Sequence, residues 1–114
     1  MIEANELMRG NELLYKGVSV AVRKIDDGAI YCCGGSDNTY FETGWKALSE
    51  FSPIPLTDEI LSKIVWNVSF TKHEKNSGSY SLIIFNSIFT FKYLHQLQNF
   101  YYIIKDGEEM IINL

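Results

Sequence analysis

The chain has 114 residues and a net charge of −4 from 14 acidic and 10 basic side chains, with 46% hydrophobic and 14% aromatic residues. These figures exclude a disordered or low-complexity protein and suit a chain long enough to bury a core without metal or disulfide. Basic residues are scattered from Arg9 to Lys105, with only Arg23 and Lys24 adjacent, which argues against an extended phosphate-binding stripe, although folding can still gather a small patch.

Taken in order, the first half predicts short strands separated by turns. Asn11 to Tyr15 (NELLY) is an apolar run followed by the turn signal Lys16-Gly17. In Val18 to Ile25, Val18, Val20 and Val22 alternate with Ser19, Ala21 and Arg23, so the two sets point to opposite faces. Asp26-Asp27-Gly28 is a hairpin turn. Ala29 to Cys33 and Thr39 to Thr43 make two more strands around the loop Gly34 to Asn38. Four strands at this spacing predict a small antiparallel SH3-like barrel or curled sheet over residues 1–52.

Gly44 to Pro55, with Pro53 and Pro55, predicts the boundary. Residues 53–114 then predict an α+β subdomain, ordered helix–strand–strand–strand–helix–strand and forming one compact unit with the first. Thr57 caps a short helix with Asp58 and Glu59 in its first turn and Leu56 positioned to staple onto Leu61. Val65 to Lys72 alternates as a strand, His73 to Ser79 turns the chain, and Tyr80 to Phe85 has the apolar run of a central strand buried on both faces. Asn86-Ser87 leads into a strand from Ile88 and a helix from Leu94. On that helix Leu94, Leu97, Phe100, Tyr101 and Ile104 share one arc, and Gly107 ends it. Asp106-Gly107 turns the chain into Glu108 to Leu114, where Met110, Ile111 and Ile112 predict a last strand.

Chemistry-bearing patterns are sparse. Cys32 and Cys33 are adjacent, which disfavours a bond between them and places one in the core and one on the opposite sheet face. His73 and His95 lack metal-ligand spacing, so neither metal nor cofactor is expected. Cys32 or Cys33 with His95 and Asn99 can be written as a nucleophile set, but no nucleophile-elbow or thiol-protease pattern surrounds them. Asp26-Asp27, Asp58-Glu59 and Glu108-Glu109 sit where turns and helix ends favour acids. Tyr31, Tyr40 and Phe41 have the chemistry to stack nucleobases, yet core packing accounts for them more simply. The remaining candidate is the polar helix face of His95, Gln96, Gln98, Asn99 and Tyr102, which predicts an interaction surface because amides bond a partner without desolvating a charge.

Three segments carry a resemblance: ANELMRGNELLY near the start, PIPLTDEIL in the middle and KYLHQLQNFYYIIKDGEEM near the end. Together they resemble a family of short uncharacterised proteins from Bacteroidetes genomes and their prophages or mobile elements, whose members typically read KYVHQLQNLYFALTGEEL in the last segment. The present chain differs there at positions that include Leu94, Phe100, Ile103, Ile104, Lys105 and Asp106. The resemblance implies a phage-related accessory protein and brings no activity or site residues. The sequence therefore predicts a cytoplasmic, non-enzymatic module that binds a protein partner and is compatible with a homo-oligomer, with no signal peptide or membrane span. Nucleic-acid binding through the small barrel is the first alternative, and an enzyme of unrecognised type the second.

Overall fold

Alternating apolar side chains and turn residues build the first hairpins as expected. β1 (Glu12–Tyr15) and β2 (Val18–Asp26) are joined by Lys16 and Gly17, both at positive φ, a two-residue connection whose twist matches the strands it links. β3 (Ala29–Gly34) follows a turn in which Gly28 has a φ of 79°. The computed structural model describes residues 2, 4–35, 38–72 and 78–112. Ser36, Asp37 and His73 of the predicted loops lie outside them. The chain divides into two compact units, Met1–Ile54 and Pro55–Leu114.

In the first unit β4 spans Phe41–Ala47, one 3-10 turn covers Leu48–Glu50, and β5 spans Phe51–Pro53. The segment predicted as a linker from Gly44 is therefore ordered as strand, turn and strand. The antiparallel sheet runs β4-β3-β2-β1-β5. β4 and β5 are its two edges, so it is open, which corrects the closed-barrel form of the expectation. Leu13, Val20, Val22, Ile30 and Cys32 fill one face with Ile2, Leu7, Tyr15 and Phe51, each large side chain contributing roughly 1.5–3 kcal/mol on burial. A Cβ at Gly34, where β3 passes Phe41, would lie 2.9 Å from the Phe41 ring and 3.0 Å from the Ser19 carbonyl oxygen, so a larger residue there would force a neighbour to shift.

The second unit begins with α1 (Asp58–Ser62), whose Thr57 Oγ1 accepts from the Ile60 N–H at 3.2 Å. Val65 to Ser69 are not a strand; only β6 (Phe70–Lys72) pairs with β7 (Tyr80–Ile84). Trp66 instead leaves the sheet and places its indole 4.9 Å from Tyr101 and 6.4 Å from Phe100. β7 is central in the order β6-β7-β8, but it is buried only from Tyr80 to Leu82, and Ile83 is exposed. The turn into β8 (Ser87–Phe91) is Phe85-Asn86, both left-handed, one residue earlier than predicted.

α2 (Leu94–Ile104) starts where Gln96 Oε1 accepts from the Lys92 and Tyr93 N–H groups at 3.0 and 3.1 Å. It ends at left-handed Asp106 and Gly107, with the Gly107 N–H donating to the Tyr102 carbonyl. Phe100 packs against Phe89 and Phe91 of β8 at 4.5 and 5.1 Å. The predicted last strand reduces, among the described residues, to a single bridge from Ile112 to Ile64. The fold is α+β, with eight strands in two antiparallel sheets and two α-helices among the described residues. Among the described residues no helix is long and apolar enough to cross a membrane.

Candidate functional site

Residues that share a sheet face in a regular strand are separated by an even number of positions. Two β-bulges break that rule in the first unit. Between β2 and β3, Val22 faces Cys32 while Lys24 faces Tyr31, which leaves Arg23 as the extra residue. Between β3 and β4, Cys32 faces Gly44 while Cys33 faces Glu42, which leaves Thr43 extra. A bulge of this kind re-aims the side chains on either side of it.

The second bulge is held by specific chemistry. Thr43 Oγ1 accepts from the Cys32 N–H at 3.0 Å and donates to the Gly44 carbonyl at 2.7 Å. Gly44 has a φ of 71°, a left-handed conformation that costs a residue with a Cβ about 1–2 kcal/mol. Together the bulges bring Arg23, Lys24, Glu42 and Trp45 onto the face that already carries Tyr31 and Cys33. This is the face opposite the packed one.

The contacts on that face are mutual. Lys24 Nζ lies 5.1 Å from the centre of the Tyr31 ring, and Trp45 meets the same ring edge-on at 5.9 Å. The Tyr31 hydroxyl donates to Glu42 Oε2, and the Tyr40 hydroxyl donates to Glu42 Oε1 at 2.9 Å. Arg23 Nε donates to Cys33 Sγ at 2.9 Å, which fixes the guanidinium over the sheet.

Arg9 is delivered from outside the sheet. The Gly10 N–H donates to the Val22 carbonyl at 2.8 Å and the Val22 N–H to the Asn11 carbonyl at 2.9 Å, so the turn carrying Arg9 lies beside the Arg23 bulge. Buried Asn11 braces the turn, its Oδ1 accepting from the Met8 N–H at 2.8 Å. Arg9, Arg23, Lys24, Tyr31, Tyr40 and Glu42 then line one shallow groove of about 370 Å³. Tyr40 is 57% exposed, and Trp45, which packs on Tyr31 outside the groove lining, is 49% exposed.

Electrostatics suit binding better than proton transfer. The hydroxyls of Tyr31 and Tyr40 hold the Glu42 carboxyl below the usual carboxylate range, and the same bonds raise both phenols above theirs. These groups therefore keep fixed charge states near neutral pH. Glu12, bonded to Ser19 Oγ at 2.9 Å, is pushed up by burial against the attraction of Arg23. Burial, with Cys33 beside it, raises the Cys32 thiol to about 12, so it is no thiolate nucleophile at neutral pH.

The helix residues singled out in the sequence form no solvent-facing set. His95 is 1% exposed and stacks with Tyr93 at 6.1 Å, and Gln98 is 8% exposed. Gln96 is exposed but engaged in capping α2, Asn99 is half-buried, and Tyr102 is partly exposed. The buried arc is thus rotated towards His95 and Gln98 from the arc predicted. Cys32 and Cys33 belong to the first unit, whereas His95 and Asn99 belong to the second. The sequence feature that bears on the groove is the one adjacent basic pair, Arg23-Lys24, whereas Gly44, which opens the predicted boundary, lies within β4. No protein-family model, curated protein or solved structure matches the chain.

Proposed function

We propose that the chain is a non-enzymatic binding module that takes an extended anionic ligand on the outer face of β2, β3 and β4. The observation that carries this reading is the convergence of Arg9, Arg23 and Lys24 around exposed aromatic rings on a chain whose overall charge is −4. A local cationic island on an acidic protein attracts an anion to one place and repels it elsewhere. The meander β2–β3–β4, continued on its β2 side by β1 and then β5, supports an SH3-like reading of this unit. An accessory role in a phage or mobile element, as the resemblance implies, suits such a module. The test is retention on immobilised heparin. The wild-type chain is retained at low salt and Arg23→Glu with Lys24→Glu is not; flow-through of the wild type contradicts the reading.

A protein partner, the expectation from the helix face, has a different observation in its favour. At the β7–β8 hairpin the register partners Ile83 and Ile88 are both exposed, and Phe85 at its tip is 78% exposed. Exposed apolar groups gathered in this way suit a contact with another chain. Ile88→Lys is expected to abolish such a contact, read by sedimentation of the purified chain with and without its partner or a second copy.

A further inference from the structure

We infer that the anionic ligand is single-stranded nucleic acid, an inference that rests on the reading of the groove as an anion-binding face. Three features separate this ligand from other polyanions. First, the cations do not stand alone: exposed Tyr40 lines the groove with them, and exposed Trp45, outside that lining, packs edge-on against Tyr31, which Lys24 also approaches. An acidic peptide or a sulfated sugar offers nothing planar to stack on these rings, whereas every nucleobase does. Second, Tyr40 just before β4 and Trp45 within it are five residues apart, or four strand steps once the bulged Thr43 is left out, which is roughly 13 Å at about 3.3 Å per residue. That length takes a few nucleotides, near the lower end of the roughly 4–16 covered by a comparable small β-domain.

Third, Glu42 sits in the groove but its two oxygens accept from Tyr31 and Tyr40. Its charge therefore orients the two phenol rings, and Arg9 and Lys24 line the same groove with Arg23, whose Nε is anchored on Cys33 Sγ. A duplex hides its base faces and would meet the rings only with its backbone, so the groove discriminates for unpaired strands.

The test is fluorescence anisotropy of a labelled oligothymidylate about ten nucleotides long, titrated with the full chain. Three phosphate contacts at about 0.7 per contact give a log–log salt slope near −2, a loss of roughly 20-fold between about 50 and 200 mM salt. Arg9→Ala or Lys24→Ala lowers that slope by about 0.7, and Lys105→Ala, in the second unit and outside the groove lining, leaves it unchanged. Trp45→Ala and Tyr40→Ala each weaken binding at least about five-fold with the slope retained, because they remove stacking and no charge. Circular dichroism checks that each variant is folded. If a duplex of equal length or polyglutamate binds as well, and the aromatic variants bind like wild type, the nucleic-acid inference is overturned while the anion-binding reading stands. If neither the oligonucleotide nor polyglutamate binds, both are overturned.

Discussion

Glu42 and Trp45, three residues apart on β4, reach the same ring: Glu42 accepts the Tyr31 hydroxyl, and Trp45 packs edge-on against Tyr31 at 5.9 Å. In an unbroken strand they would point to opposite faces. The bulge at Thr43 is what unites them, so the groove depends on backbone chemistry at positions that never touch a ligand. Thr43→Val keeps the shape but leaves the Cys32 N–H without its acceptor, at an expected cost of about 1–3 kcal/mol in urea unfolding. Near-UV circular dichroism of the Tyr31–Trp45 pair should change with it.

The turn that delivers Arg9 makes a second prediction. Asn11→Ala removes the acceptor that the Met8 N–H uses from a side chain that is almost wholly buried, so a loss of about 1–3 kcal/mol is expected. Because the turn also carries Arg9, ligand affinity should fall further than in Arg9→Ala at a temperature where both variants are folded. Equal affinities would mean that the turn holds without its brace.

The hairpin tip predicts the opposite sign. Phe85 adopts a φ of 53°, a conformation that a bulky side chain takes with strain, and exposure leaves its ring little burial to lose. Asn tolerates this region, so Phe85→Asn should raise stability by about 1 kcal/mol. Thermal unfolding measures it, and a lower midpoint would show that the ring has a packing role.

Two acidic groups shift in opposite directions. Glu42 has its pKa lowered by the Tyr31 and Tyr40 hydroxyls, so its contribution to stability is present above its ordinary value of 4.5 and is lost as pH falls through the depressed value. Tyr31 and Tyr40 have theirs raised, so their contribution is present below 10 and lost as pH rises through the raised values. Glu42→Gln should therefore flatten the stability profile on both its acid and its alkaline limb. Glu12 is raised by burial, so it contributes below 4.5 and loses that contribution as pH rises. Glu12→Gln, which keeps an acceptor for Ser19, should stabilise the chain at neutral pH and lose this advantage in acid.

Much of the fold was legible because one-face burial enforces alternation. Val20 and Val22 are buried where the pattern placed them, Cys32 is in the core with Cys33 on the other face, and Thr57 caps α1. Where the pattern failed, a tertiary contact overrode it. Val65 to Ser69 alternate like a strand, yet Trp66 finds Tyr101 and Phe100 instead of a strand partner. His95 and Gln98 read as polar surface because their side chains are polar, while the buried arc of α2 includes both. The groove was illegible for a sharper reason. Alternation puts Lys24 on the core side of β2, and Glu42 opposite Trp45, so a bulge has to be known before the constellation can be seen.

The most direct measurement is a titration of the isotope-labelled chain with oligothymidylate, followed by backbone and indole N–H resonances. The account predicts shifts concentrated at Arg9, Arg23, Lys24, Tyr31, Tyr40 and Trp45, with α2 and the Phe85 hairpin unmoved. Saturable shifts confined to α2 or that hairpin, or none at all, would contradict it.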